Sequence, residues 1–455
     1  SPEMIGEYLS ALSNSAALQR KEAGYIVWGV QDEPHDVVGT TFKPRQEKIG
    51  NEELENWLAR QLFPRMNFKI HEFDYNGNHM VIFEVPPANY APVRFKEIEY
   101  IRVGSYKKKL KEFPEKEREL WTLFSQTTFE KGIAEKSMSS DVILSQFDYP
   151  AYFEATGQKL PDNRAGILAR LNQEKFIIDK GDDLFDVTNL GAILFAKDLS
   201  LFETLSRKAL RVIIYKGANR VETIREQTDI KGYAVGFHDA ISFINSQLPQ
   251  NEQIGQALRK EVRMYPEIAV RELVANALIH QDFSLSGTGP VVEIFSDRIE
   301  ITNPGTPLID TLRFIDEPPI SRNESLAAFM RRVNICEERG SGIDKVIFHV
   351  ELFQLPAPNF TVTSNHTKAV LFAHKKPTKM GKNDRIRACY QHACLRYVSN
   401  DTMTNASLRK RFGIKKENYP MASRIIADTL ESKLIRRHDP ESTSKRHAKY
   451  VPFWA

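Results

Sequence analysis

The sequence predicts a multidomain α+β protein, and three observations carry that prediction. Its 455 residues exceed what one core organises, at about 100–200 residues per domain. Strand-like apolar runs are interleaved with helical spacings along the whole chain, not gathered at one end. The net charge of +4 conceals a split. From Lys375 onward there are 19 Lys and Arg against 7 Asp and Glu, a balance of +12, and the preceding 374 residues carry 44 against 52, or −8. A basic end on a mildly acidic body is the pattern of a phosphate-backbone binder attached to another machine.

Composition narrows the class. With 41% hydrophobic and 27% charged residues, the chain is globular and not disordered. No stretch reaches the roughly 18 uncharged apolar residues of a membrane helix, and no basic-then-apolar leader opens the sequence. The three cysteines, Cys336, Cys389 and Cys394, have neither metal-ligand spacing nor the pattern of a disulfide framework. A reduced, cytoplasmic protein without a membrane partner is the expectation.

Residues 1–120 read as a first α+β domain. A helix over Met4–Ser13 precedes the strand-like run Tyr25–Val30 and then Val37-Val38-Gly39. A second helix carries Leu54, Trp57, Leu58 and Leu62. Strands follow at Phe68–Ile70, His79–Val85 and Tyr100–Val103, with Asn76-Gly77 as a tight-turn signal between the first two. Residues 121–204 read as a helical linker domain, with helices at Asp141–Phe147 and Asn163–Asn172 and a hairpin through Phe176–Ile178 and Leu184–Val187. That outline is also that of a small winged helix.

Residues 205–376 return to α/β. A buried strand at Leu210–Tyr215 is followed by helices at Val235–Leu248 and Glu267–His280. Strands come next at Val291–Phe295 and Arg298–Thr302, then a helix at about Ser325–Val333 and a closing strand at Val370–Phe372. Residues 377–455 read as a basic winged helix-turn-helix, with helices at Arg385–Val398, Asn405–Phe412 and Pro420–Ser432 before Leu434–Arg437 and Tyr450–Pro452.

The most informative stretch is Arg271-Glu272-Leu273-Val274-Ala275-Asn276-Ala277. Glu272 and Asn276 lie four apart and share one helix face, with apolar residues on the others. A carboxylate beside an amide can hold a magnesium ion against a triphosphate and can activate water. Asn303-Pro304-Gly305 and Arg339-Gly340-Ser341-Gly342 follow. Their glycines would let backbone amides approach phosphates where a helix begins near Ile343. His280 and Asp282 read as helix-end caps, with contact to phosphate as the alternative.

These segments resemble the GHKL superfamily of ATPases, and more closely the divergent ATP-binding module of bacterial helicase-related proteins with a RecG-like C-terminal part. The resemblance implies a GHKL-like α/β sandwich, ATP and Mg²⁺ as cofactors, Asn276 as magnesium ligand and Glu272 as general base of a weak ATPase. Asn303, Gly305, Gly340, Ser341 and Gly342 would line the nucleotide. The chain departs from the pattern at Asn303, where the superfamily has an aspartate, and at Gly305, which Thr306-Pro307 follows. No GxxxxGK[ST] loop is present, so a P-loop motor is not predicted.

Leu9–Ala16, Gly24–Asp32, Val38-Gly39-Thr40, Pro92-Val93 and Tyr100–Ser105 resemble the Schlafen/AlbA-type nucleic-acid-binding domain. Relatives that are nucleases use three carboxylates. Asp32 stands where the third would be, and the sequence has no counterpart of the two glutamates that precede the first helix in those relatives. Nuclease activity is not the expectation for the sequence as given.

Phosphate contacts are predicted at Arg102, Lys107 and Lys108 in the first domain. In the C-terminal module they are predicted at Arg409, Lys410, Arg411, Lys415, Lys416, Arg424, Arg436, Arg437, Lys445 and Arg446. Tyr419, Ser423 and Arg424 would face base edges. The predicted function is a nucleic-acid-binding, ATP-binding-like transcriptional regulator, with DNA favoured over RNA as partner and a homodimer as one arrangement. The alternatives are a Schlafen-type metal-dependent nuclease active in phage defence and a non-catalytic interaction protein with a degenerate nucleotide fold.

Overall fold

The computed structural model describes residues 1–89, 91–126, 129–254, 259–336, 341–439, 441 and 448–455. The architecture is multidomain α+β, as the sequence predicts. The chain forms two compact units, Ser1–Thr128 and Phe129–Ala455.

In the first unit, α1 (Pro2–Leu18) has Ser1 as N-cap and proline in its first turn. It packs near a three-stranded antiparallel sheet of β1 (Gly24–Trp28), β2 (Lys69–Tyr75) and β3 (Asn78–Val85) in the order β1-β3-β2. The β2–β3 hairpin turns at Asn76 and Gly77, with φ of 50° and 80°. Positive φ at both residues is what a two-residue turn matching strand twist requires. Trp28, Phe42, Phe68 and Phe83 form an aromatic cluster with ring centroids 5.0–6.5 Å apart. A second helix, α2 (Leu54–Gln61), adds Leu54, Trp57 and Leu58 to the core. The hairpin β4 (Ile98–Val103) and β5 (Tyr106–Lys109) and the helix α3 (Pro114–Gln126) complete the unit. The boundary expected at residue 120 therefore falls inside a helix. Leu120 and Phe124 are buried in the first unit's core, which carries α3 with it.

The second unit opens with β6 (Ile133–Ser139), three helices α4 (Ser140–Gln146), α5 (Tyr149–Ala155) and α6 (Arg164–Gln173), and the hairpin β7 (Ile177–Gly181) and β8 (Leu184–Thr188). The sheet order is β6-β8-β7. Helix α7 (Asn189–Phe195), capped by Thr188, is almost wholly buried. Its run Leu-Gly-Ala-Ile-Leu-Phe has no amphipathic period, which is why it does not stand out among the helices the sequence marks there.

Next come β9 (Leu210–Tyr215), β10 (Thr223–Asp229), α8 (Tyr233–Gln247), α9 (Glu267–Ile279), β11 (Val291–Ile294), β12 (Arg298–Pro304), α10 (Glu324–Arg332), α11 (Gly342–Leu352), β13 (Asn359–Val362) and β14 (His366–Phe372). Six of these strands form one sheet, β10-β9-β11-β12-β14-β13, parallel only between β9 and β11. Edge strand β10 is polar along its length and pairs only with β9, so it owes its state to its neighbour. Helix α9 is apolar nearly all round, the composition of a helix covered on most sides. One continuous core runs from Met138 to Leu371.

The C-terminal segment contains α12 (Lys382–Val398), α13 (Asn405–Phe412), α14 (Tyr419–Glu431) and the hairpin β15 (Ile435–Arg437) and β16 (Tyr450–Pro452). Met403 bridges onto Tyr450 of the hairpin. A Thr404/Ser407 capping box starts α13, and Gly413 ends it in the left-handed conformation at φ 62°. Among the described residues, no helix is long and apolar enough to cross a membrane.

Candidate functional site

A cavity of about 600 Å³ lies between α9, the ends of β12 and β14, the segment 306–322 and α10. Its size falls in the range of about 300–1,000 Å³ usual for small-molecule pockets. Glu272 and Asn276 on α9 and His280 at its C-cap, spaced four apart, line its wall in a row. Glu272 is buried. The neighbouring Arg271, quoted in the same motif, serves the fold: its Nη2 donates to the Asn334 carbonyl at 2.7 Å and its guanidinium lies over Phe237.

The N-terminus of α11 closes one end of this row. A Cβ added to Gly342 would sit 2.9 Å from Glu272 Oε2 and 3.9 Å from Asn276 Nδ2. Gly342 thus keeps open a cradle against both side chains that any larger residue would fill. Asn303 is buried on the inner face of β12, and its Nδ2 donates to the Pro304 carbonyl at 3.2 Å. Gly305 has φ 99°, and a Cβ there would lie 2.4 Å from Arg322 Nη1; backbone conformation and space both require glycine. Its carbonyl accepts from Thr367 Oγ1 at 2.7 Å.

The far end of the row carries His280, whose ring burial, aided by Arg322 and Arg331, pushes its pKa down to about 4. The imidazole is therefore neutral at physiological pH. Asp282, expected as a cap, holds a turn: its Oδ1 accepts from Ser284 N at 3.0 Å and Ser284 Oγ at 2.6 Å.

Residues outside the sequence motifs, at the cavity or beside it, also matter. Asn323 donates to the carbonyls of Ile279 and Gln281 at 2.7 and 2.8 Å, fixing the end of α9 to the start of α10. Arg322 Nη2 donates to the Thr306 carbonyl at 2.8 Å, and Phe314 meets Phe360 edge-on at 5.3 Å. The only signal of this group is Ser321-Arg322-Asn323 ahead of an amphipathic helix. Ser341 is half-buried as N-cap of α11; Gly340 and Arg339 lie outside the described residues.

No group of three His, Cys, Asp or Glu could hold a metal ion among the described residues. Glu272 and Asn276, beside Gly342, are the carboxylate and amide that would hold a magnesium ion against phosphate oxygens. When bound, such an ion would polarise a phosphoryl group.

In the first unit, the polar residues of the Leu9–Ala16 motif hold backbone. Ser10 Oγ donates to Val93 O at 2.6 Å and Ser13 Oγ to Pro86 O at 2.8 Å. Asn14 donates to Val93 O at 2.9 Å and Tyr100 O at 2.8 Å and accepts from Val93 N at 2.7 Å. Ser15 Oγ accepts from Arg102 N at 2.9 Å. Asp32 is exposed in the bend after β1, with no metal-holding cluster around it among the described residues. Lys107 is committed to Glu7 and lies over Tyr8, so it is not a free phosphate contact. Arg102 also covers Tyr8, while Lys108 is exposed.

In the C-terminal segment Lys410, Lys415, Lys416, Arg424 and Arg436 are exposed, as are Tyr419 and Ser423 at the start of α14. Arg436 donates to the Ala455 carbonyl. Arg409 is half-buried and donates to Asn405 Oδ1 at 3.0 Å. Arg411 corrects the expectation: its side chain is 1% exposed. It donates to the Leu355 carbonyl at 2.7 Å and pairs with Glu351 at 3.3 Å. Burial pushes its guanidinium below its ordinary pKa against the pull of Glu351. Its charge faces α11, not solvent. Arg437 is half-buried, and Lys445 and Arg446 lie outside the described residues.

Comparison with known proteins decides the type of two regions. Residues 1–111 match the family described as "Schlafen, AlbA_2". Residues 287–371 match the family described as "Putative ATP-dependent DNA helicase recG C-terminal". The chain is thus similar to Schlafen/AlbA-type proteins over its first 111 residues and to a divergent ATPase module over residues 287–371. The matched part of that module contains Asn303, Gly305, Arg322, Arg331 and Gly342 but stops short of α9. Among solved structures, the DIP2311 protein of Corynebacterium diphtheriae is similar at a TM-score of 0.44 and 16% identity, over 99% of this chain and 87% of that one. None of the curated proteins matches.

Proposed function

We propose that the chain is a nucleotide-responsive nucleic-acid-binding regulator in which the cavity beside α9 binds MgATP and the basic C-terminal segment, a winged helix-turn-helix, binds DNA. The reading divides the chain into a nucleic-acid-binding region to about residue 120, a linker region to 204, a GHKL-like module to 376 and the basic module. Asn276 holds the magnesium ion in this reading, and Glu272 orients or activates water.

The observation that carries it is how the cavity is tied to the basic module. The segment 306–322 lines the cavity, and Tyr390 Oη of α12 donates to the Leu312 carbonyl within it at 2.6 Å. Trp454 Nε1 donates to the same Tyr390 oxygen at 3.1 Å, and Arg313 lies over the Trp454 ring. Helix α11 begins against Glu272 and ends at Glu351, which meets both Arg411 and His392 of the basic module. A ligand that moves either element changes contacts of the basic module, and so favours one arrangement over another by its differential affinity.

The test is fluorescence anisotropy with labelled duplex DNA and single-stranded RNA, with and without MgATP. Duplex binding that weakens with salt and shifts with MgATP is expected. Tyr390→Phe should blunt the nucleotide response while leaving DNA binding alone. A chain that binds neither nucleic acid, or whose affinity ignores MgATP at saturation, would overturn the reading.

A further inference from the structure

We propose that Arg322 and Arg331 form an anion-binding end of the cavity, so that its ligand is a nucleoside polyphosphate whose phosphates these two side chains contact. The proposal rests on the nucleotide reading of the same cavity and adds the recognition element that reading lacks.

Charge balance comes first. A polyphosphate brings several negative charges into a pocket that already holds Glu272, and a magnesium ion neutralises only part of them. The cations among the described lining residues are Arg322 and Arg331. Of the other acids there, Glu317 is paired with Arg313 at 3.5 Å and Glu324 is exposed in the first turn of α10. His280 is held neutral beside the two arginines, leaving its ring as an uncharged hydrogen-bonding group there.

Geometry comes second. Arg322 is placed by one bond, Nη2 to the Thr306 carbonyl, while its Nη1 is buried without a hydrogen-bond partner. A buried guanidinium donor left unmade is costly, and an anion is the acceptor that satisfies it best. Gly305 leaves the room for that group, since a Cβ there would lie 2.4 Å from Nη1.

The Arg331 side chain has no hydrogen-bond or ion-pair partner among the described residues, yet its helix is firmly held. Glu130 accepts from Ser325 N at 3.2 Å and Leu326 N at 2.5 Å at one end of α10. Arg332, the next residue, forms a two-bond pair with Glu174 at 2.9 Å at the other. A rigid helix that binds one arginine to the fold and points its neighbour to the cavity wall has the preorganisation an anion site needs.

The experiment is titration calorimetry on the full chain with MgATP, MgADP, AMP and adenosine. Wild type should bind in that order of decreasing affinity. Arg331→Gln and Arg322→Gln should each weaken MgATP by about tenfold or more, flatten the series and leave adenosine unchanged, while Arg331→Lys keeps part of the gain. MgATP binding at wild-type strength in both glutamine variants would overturn the proposal and leave the nucleotide reading standing. A wild type that binds none of the four ligands removes the nucleotide reading and the proposal together. Should Arg322→Gln lose its cooperative melting transition, Arg331→Gln decides alone.

Discussion

Helices α1 and α9 each carry a row of polar side chains into an apolar interior, and the rows end differently. In α1, Ser10, Ser13, Asn14 and Ser15 spend their hydrogen-bonding capacity on the backbone of residues 86–102. They act as a staple, joining a helix to segments about eighty residues away. In α9, Glu272 and Asn276, with His280 at the C-cap, face a cavity large enough for a nucleotide. Both rows look alike as sequence: small or polar residues at helical spacing among Leu, Val and Ala. What separates them is whether backbone or empty space lies opposite. A buried amide that meets backbone groups is architecture, whereas one that meets a cavity is available to a ligand.

The largest expected effect tests a third inward-facing polar group against the same rule. Arg411→Ala removes a buried guanidinium from its pair with the half-buried Glu351 and should cost about 3–5 kcal/mol, read from urea unfolding of the full chain. A loss below 1 kcal/mol, about the value of an exposed pair, would return Arg411 to the surface and to the list of phosphate contacts. Asn14→Ala comes next. Three buried backbone partners lose their bonds, and stability should fall by about 2–3 kcal/mol with MgATP affinity unchanged. A nucleotide effect there would break the contrast between the helices.

Asn276→Ala should show the mirror image. Unfolding free energy stays within about 1 kcal/mol of wild type, while calorimetric MgATP binding drops at least tenfold, by about 1.4 kcal/mol. An equal loss of stability would make α9's row a second staple.

The smallest effect is in pH. His280 titrates near 4 in the folded chain, below its ordinary 6.5, so the unfolded state takes up protons first as pH falls. Its contribution is whole above about 6.5 and is lost between there and 4. His280→Asn should flatten that part of the melting-temperature profile. Asp344 has the opposite sign. Burial, with Asp316 adding to it, raises its carboxyl from 3.8 to about 6, so its cost to stability grows as pH rises across that window. Asp344→Asn should therefore stabilise the chain above pH 6.

The fold was legible where local chemistry and tertiary surroundings agree. Asn76-Gly77 marks its hairpin because only that backbone conformation matches strand twist, and Asn405–Phe412 is bounded by its own cap and its own glycine. Edge strand β10 and buried helix α7 were not legible, because one is held by its neighbour and the other has no exposed face to create a period. At the cavity, Glu272, Asn276, Asn303, Gly305 and Gly342 were found by spacing and resemblance. Arg322 and Arg331 were missed, since an arginine's partner lies across the fold and leaves no local trace.

By itself the sequence determined the α+β class, the order of its segments, the basic C-terminal end and the polar row of α9. These depend on neighbours within a few residues or on totals over a segment. Tertiary structure alone decided which polar groups are free. It put Arg411 under Glu351 and Lys107 against Glu7, and it set Arg322 and Arg331 beside His280. The physical reason is that a charged side chain reads the same in sequence whether it meets water, a carboxylate or an empty pocket, and only packing across distant segments chooses among the three.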